Sequence, residues 1–369
     1  MSHLFVVFTP FQLFIAQQLV HQEQLKDCIL IEAYVAGNPH FIEIYDMMEM
    51  EGMWKKKYII PDFAQWDGLR TTSIMDEVKT YKMYRKIRNL IKSNNVGTLY
   101  LGEMQNNAIR FTDIVFHHKG IKIVFFEEGT AHYIQRPYQE ETHWMKIKEF
   151  IRDLVEYLPL YHVRFAKWRY VLCRPFEGEL PMDVRYSVIP GHYNKPFDKQ
   201  LYPSLVISKK MEAYMAESIC NTDKKRVMFM TDPLAEVIGS EFMECYFDTI
   251  KECFDGISKD TEVYIKYHPR DPKESRDRVI EIGKACGLDC KVMSERVNIP
   301  AEYYLQKFKF DSIFVFNAST YFYDGYLFPK CNFVKLLPKL YARVKAAGLS
   351  EDKLKWFDAF LKNSLNESN

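Results

Sequence analysis

Short apolar runs of four to eight residues, most of them followed by a stretch with helical spacing, recur along this chain, and no other feature restricts its fold as much. Residues 4–8 form the first run, Thr9-Pro10 supplies a helix start, and residues 11–20 then place apolar side chains at helical intervals. Runs at 28–35, 57–60, 98–101 and 121–126 repeat the theme, with helical stretches expected near 41–50, 81–93 and 106–117. A strand that is apolar along its length is buried on both faces, and regular β-α alternation covers both faces of a parallel sheet with helices. A second series begins at 226–230 and continues through 262–267, 289–292, 312–316 and 332–336, with helices expected near 239–254, 272–286 and 301–308. The expected fold is α/β, with two doubly wound sheets.

Length agrees with two domains, since 369 residues exceed the usual unit of about 100 to 200. Residues 142–176 break the alternation; rich in aromatic and basic side chains, they read as one or two long helices closing the first half. Pro181, Pro190, Pro196 and Pro203, with Gly191 and Asn194, then punctuate a linker and place the boundary near 190–205. At the end, Leu354, Trp356, Phe357, Phe360, Leu361 and Leu365 are spaced as one face of an amphipathic helix, expected to pack back against the first domain.

Hydrophobic residues make up 47% and charged residues 27%, a globular composition, and a net charge of +1 removes any global electrostatic case for nucleic acid. The eight cysteines contain no CxxC pair, and Cys286 and Cys290 lack nearby partners to complete a zinc set, so reduced thiols in a cytoplasmic protein are expected. No run approaches the ~18 apolar residues of a spanning helix. The apolar start lacks a basic region and is interrupted by Thr9-Pro10, which reads as a buried strand rather than an export signal.

Three polar motifs fall where parallel strands should end, and open α/β sheets bind ligands at those ends, so a cleft between the two domains is the expected active site. Glu127-Glu128-Gly129-Thr130 follows the run 121–126. Paired carboxylates there suit a general base with a raised pKa, and Gly129 permits a sharp turn; a solvated turn with a capping carboxylate is the plainer reading. His268-Pro269 follows 262–267, with Lys266 and Arg270 beside it as an anion-binding environment, against the alternative of a structural histidine. Asn317-Ala318-Ser319-Thr320 follows 312–316 and precedes an expected helix, so its hydroxyls and free amides could hold a phosphate or simply cap that helix. Glu302, in the first turn of the helix expected at 301–308, suits either ribose hydroxyls or the helix dipole. Neither GxGxxG nor GxxxxGK[ST] occurs, and no Asp-x-Asp lies near a strand end to hold a divalent ion, which favours metal-independent transfer from a monophosphate donor.

In their order, Thr9-Pro10-Phe11-Gln12, Glu127-Glu128-Gly129, Thr231-Asp232-Pro233-Leu234, His268-Pro269, Asn298-Ile299-Pro300-Ala301-Glu302 and Ser319-Thr320 resemble the motifs of bacterial sialyltransferases. The resemblance is to glycosyltransferase family 52, with the bacterial polysialyltransferases as near relatives, and it runs from residue 9 to about 335. It implies the GT-B architecture, two Rossmann-like domains facing a central cleft. The domains would be an acceptor-side domain at 1–195 carrying the base, a CMP-sugar-binding domain at 196–340, and a closing helix at 341–369. It further implies inverting transfer from CMP-sialic acid to a glycan acceptor, with no cofactor or metal. Glu127 or Glu128, the latter favoured, would be the base and His268 the partner of the departing phosphate. Lys266, Pro269, Arg270, Glu302, Asn317, Ser319 and Thr320 would meet CMP, and Thr9, Pro10, Gln12, Gly129, Thr130 and Asp232 would line the acceptor side. This chain has Glu-Glu-Gly where many relatives have Asp-Asp-Gly, which leaves the base open between the neighbours. The expected acceptor is a lipooligosaccharide or capsular glycan with a terminal galactoside; the alternatives are extension of a polysialic acid chain, another CMP-sugar such as Kdo, and a non-catalytic assembly role. The basic aromatic stretch 146–174 would suit an anionic chain or the inner membrane surface.

Overall fold

The computed structural model describes residues 1–33, 40–60, 86–102, 120–127, 183–189, 198–202, 207–219, 223–294 and 298–365. They fall into two compact units, those up to 202 in the first and those from 207 onward in the second. The first unit contains β1 (Ser2–Val7), α1 (Pro10–Gln22), β2 (Cys28–Ala33), α2 (His40–Met48) and β3 (Lys56–Ile60). It continues with β4 (Val96–Gly102), β5 (Lys122–Phe126), β6 (Val184–Ser187) and β7 (Asp198–Gln200). These strands form one sheet in the order β3-β2-β1-β4-β5-β6-β7, and every pairing is parallel.

The second unit contains α3 (Lys209–Ser218), β8 (Arg226–Met230), α4 (Ala235–Ile238), α5 (Met243–Asp255), β9 (Glu262–Lys266) and α6 (Lys273–Ala285). It continues with β10 (Asp289–Val292), α7 (Ala301–Lys307), β11 (Ser312–Val315), β12 (Phe333–Lys335), α8 (Leu337–Ala346) and α9 (Glu351–Leu365). Its sheet runs β10-β9-β8-β11-β12, again all parallel. Each unit is thus a Rossmann-like doubly wound sheet, and a pair of them is the composition of the GT-B class. No helix among the described residues is long and apolar enough to cross a membrane.

The central strands behave as their composition requires. Leu4, Phe5, Val6 and Val7 of β1 are fully buried, and every residue of β9 is buried. Leu4, Val6, Ile29, Ile31, Leu99, Leu101 and Phe125 form one core cluster; Phe229, Ile250, Phe254, Val263, Ile265 and Leu340 belong to another. Each such side chain, when fully buried, stabilises the fold by roughly 1.5–3 kcal/mol before entropy is charged against it. At the start of α1, Thr9 accepts a hydrogen bond from the Gln12 amide at 3.2 Å and Pro10 occupies the first turn, where its missing N–H costs nothing.

One expectation changes. β7 joins β6 in the first sheet, so that unit extends beyond residue 195, where the second domain was expected to begin. Within the second unit, Phe357 of the closing helix α9 is fully buried in the core, with Leu354 and Leu361 packed against the same cluster and the Tyr341 ring of α8 beside it. The expected helices at 106–117 and 142–176 lie outside the described residues. Across the expected helix 81–93, residues 86–93 are helical. The described cysteines are all free thiols.

Candidate active site

The strand order of the second sheet reverses between β8 and β11, and ligands of open α/β sheets bind outside the carboxyl ends at such a switch point. The loops after β8 and β11 flank that point, and the loop after β9 lies next to them. All three are joined by hydrogen bonds. Asp232, after β8, accepts the Asn317 backbone N–H at 2.7 Å, tying the β8 and β11 loops together. Thr231 donates its backbone N–H to the Lys266 carbonyl at 3.1 Å. The His268 N–H is forked between Thr231 Oγ1 at 2.9 Å and Asp271 Oδ2 at 3.0 Å, while the Thr231 hydroxyl donates to the same Asp271 oxygen.

The segment His268-Pro269-Arg270-Asp271 is a tight turn, closed by the Asp271 N–H to the His268 carbonyl at 3.0 Å, with proline at its favoured second position. Within it the Arg270 N–H donates to His268 Nδ1 at 3.1 Å. A ring nitrogen that accepts carries no proton, so the neutral imidazole holds its proton on Nε2. Burial, followed by the charges of Arg270, Lys266 and Arg276, pushes His268 down to about 4. At neutral pH it is therefore an uncharged Nε2–H donor. Arg276 supports the turn by donating to the Pro269 carbonyl at 3.4 Å, its guanidinium 5.5 Å from the Tyr267 ring centre.

A second polar group lies on the same loops. Lys266 is buried and pushed down to about 8 by its burial, with Glu302 and Asp271 opposing. Glu302 is buried as well and accepts the Thr320 hydroxyl at 2.8 Å; burial raises its pKa against its own amide, Thr320 and Lys266. Burial also pushes Asp232 up to about 7, the Asn317 amide opposing and the Asp271 charge adding to it. A carboxyl pushed up to about 7 and an amine pushed down to about 8, gathered at a switch point, are a recurring mark of a working site.

The remaining expected residues fare differently. Pro269 and Arg270 are exposed, and Arg270 pairs with Glu236 at 2.7 Å. Ser319 is exposed and Thr320 buried on a five-residue 3-10 turn, Ser319–Tyr323, preceded by Ala318 with no side-chain cap. The longer helix expected after Thr320 is absent there, because aromatic Phe322 and Tyr323 turn into the core. In the first unit Glu127 is buried, its Oε2 accepts the Val188 N–H at 2.8 Å, and its own N–H reaches the Tyr186 carbonyl at 3.2 Å, continuing the ladder between β5 and β6. Glu128, Gly129 and Thr130 lie outside the described residues. Thr9 and Pro10 start α1, and the fully buried Gln12 accepts the Phe8 N–H at 2.7 Å. Their described roles are in holding β1 to α1. Sequence reading did not single out Asp271 or Arg276; the turn pattern His-Pro-x-Asp was the available signal for the former.

The family model for alpha-2,8-polysialyltransferase matches residues 3–336. No curated protein matches the sequence. Among solved structures, the chain is similar to the UDP-GlcNAc 2-epimerase from Methanocaldococcus jannaschii, at 11% identity and TM-score 0.48, over 94% of this chain and 92% of that one. It is also similar to the spinosyn rhamnosyltransferase, at 14% identity and TM-score 0.45, over 99% and 91%. A third likeness is to the UDP-GlcNAc 2-epimerase from Neisseria meningitidis bound to UDP-GlcNAc, at 10% identity and TM-score 0.46, over 85% and 77%. With its family match spanning both sheets, this chain belongs to the alpha-2,8-polysialyltransferase family of sialyltransferases.

Proposed function

We propose that this protein transfers sialic acid from CMP-sialic acid to a glycan hydroxyl, with inversion at the anomeric carbon and without a metal ion, and that its acceptor is itself a sialoside. The observation that carries the reading is the locked His268 turn at the switch point, which leaves an uncharged Nε2–H donor among Lys266, Arg270 and Arg276. The family match supports a sialoside acceptor over a terminal galactoside.

In this reading Glu128 takes the proton of the acceptor hydroxyl, whose oxygen attacks the anomeric carbon on the face opposite CMP. The bond from that carbon to the phosphate oxygen breaks, and CMP leaves with the electron pair. His268 Nε2–H hydrogen-bonds the phosphate oxygen. The negative charge arriving there offsets the burial and positive neighbours that hold the ring down, so the imidazole gains basicity on donor binding. Glu302, Thr320 and Asn317 hold the nucleotide end, and Asp232 ties the two loops that receive it. The reading places the protein in the cytoplasm, with the basic stretch 146–174 against the inner membrane surface or an anionic glycan.

The test is CMP release from CMP-sialic acid in EDTA with galactoside, sialoside and oligosialoside acceptors, in the parent, His268→Ala and Glu128→Gln. Release that depends on a sialoside and is abolished by both substitutions supports the reading. Preference for a galactoside moves the assignment to single transfer, release from another CMP-sugar alone moves it to that donor, and binding without release with any donor leaves a non-catalytic role.

A further inference from the structure

We propose that Asp271, acting with Thr231, is the positioning residue that holds His268 in its working tautomer and direction. The inference rests on the reading of His268 as the partner of the departing phosphate. One oxygen of the buried Asp271 receives both the Thr231 hydroxyl and half of the forked His268 N–H, and the Asp271 N–H closes the turn back onto the His268 carbonyl. The backbone of His268 is thus held at both its N–H and its carbonyl by one residue three positions along the chain.

That anchoring has a chemical consequence. Only while the turn is closed does the Arg270 N–H meet Nδ1, and only that bond commits the proton to Nε2. Asp271 touches none of the atoms that react, and it acts on them through the histidine. Its neighbour Thr231 begins the loop after β8 whose next residue, Asp232, grips Asn317, so the anchoring of His268 and the joining of the β8 and β11 loops share one segment. What the site needs from Asp271 is an acceptor oxygen at that point, a need that asparagine also meets.

The experiment compares Asp271→Ala with Asp271→Asn, and Thr231→Val with Thr231→Ser, in the full-length protein. Three readouts are taken: kcat and KM for CMP-sialic acid, thermal unfolding, and the His268 tautomer from long-range nitrogen-15 correlation spectra assigned with His268→Gln. Asp271→Ala and Thr231→Val should lower kcat by about 10²-fold, with KM for the donor changed far less, because a small misplacement of a reacting group costs that much. In both variants the His268 signal should move from a single Nε2–H form to a tautomer mixture. Asp271→Asn and Thr231→Ser should restore the Nε2–H form and most of kcat. The proposal is overturned if His268 keeps one Nε2–H tautomer in Asp271→Ala and Thr231→Val, or if activity falls only in step with thermal stability. Where Asp271→Ala does not fold, the isosteric Thr231 pair decides. A parent protein without sialyl transfer removes the functional reading, while the tautomer spectra still decide the positioning role.

Discussion

His268 and Glu127 show how a residue's neighbours decide what its chemistry is for. The histidine is an acceptor on Nδ1 and lies well below its ordinary 6.5, first because it is buried and then because Arg270, Lys266 and Arg276 are cations. In the free protein its ring should therefore titrate near pH 4, and addition of CMP should move that titration upward, both followed by the nitrogen-15 shifts of His268. A midpoint near 6.5 in the free protein would mean that burial and the neighbouring cations do not govern the ring. Of the adjacent carboxylates, Glu127 is committed to the Val188 N–H inside the protein. Glu127→Ala, which leaves that amide unmet, should cost about 1–3 kcal/mol in denaturant unfolding. Glu128→Gln should abolish turnover without shifting the unfolding midpoint. Equal stability losses at the two positions would contradict this division of labour.

At the scale of elements, the strand ends are held by contacts that residue type alone does not announce. β4 ends at Gly102, and the side-chain amide of Gln12 on α1 occupies the space a Cβ would need there. That close approach keeps the Gln12 carbonyl on the Phe8 N–H as β1 passes into α1. Gly102→Ala should displace Gln12 and destabilise the first unit by about 1–3 kcal/mol, measured by urea unfolding. Gly102→Ala combined with Gln12→Ala should recover part of that loss, since the clash is then relieved. The elements themselves were legible where a strand carries an apolar run: β1, β5, β8, β9 and β11 lie within a residue or two of their expected positions. β6 and β7 were not, since Val-Arg-Tyr-Ser and Asp-Lys-Gln carry no apolar run and become strands only by pairing with β5 and with each other. The helices α3 and α8 were also unforeseen. Few of α3's side chains are buried, so its sequence carries little apolar periodicity, and α8 begins at Leu337-Pro338, where a proline reads equally as a break.

For the molecule as a whole, the polar cluster should leave its trace on stability against pH. Asp232 has a folded pKa of about 7, above its ordinary 3.8, so the folded state holds its proton more tightly. Its charged form is thus a cost that is absent below about pH 4 and grows as pH rises to 7. His268 acts in the opposite direction: its lowered pKa means that stability is lost as pH falls from 6.5 toward 4. The two slopes oppose each other over much of the same window. Asp232→Asn removes one of them and should raise the unfolding temperature above that of the parent at pH 8, with the gain vanishing near pH 4. A gain that is independent of pH would mean that Asp232 is not the titrating group.

The sequence by itself determined the class of fold, because strands apolar along their whole length, alternating with helices, can only be buried between helical layers, and it placed His268, Glu302 and Thr320 at strand or helix ends. Tertiary structure alone decided what these residues do. Asp271 comes onto the His268 amide and Thr231 together because β8 and β9 are neighbours in the sheet, although the two residues are separated by 40 positions in the chain. The fate of Glu302 was likewise a tertiary matter: a carboxylate in the first turn of a helix can face solvent or protein, and here it is buried where Thr320 meets it from the turn after β11. Local pattern reports burial and turns, which depend on near neighbours; hydrogen-bond partners depend on which strands lie side by side.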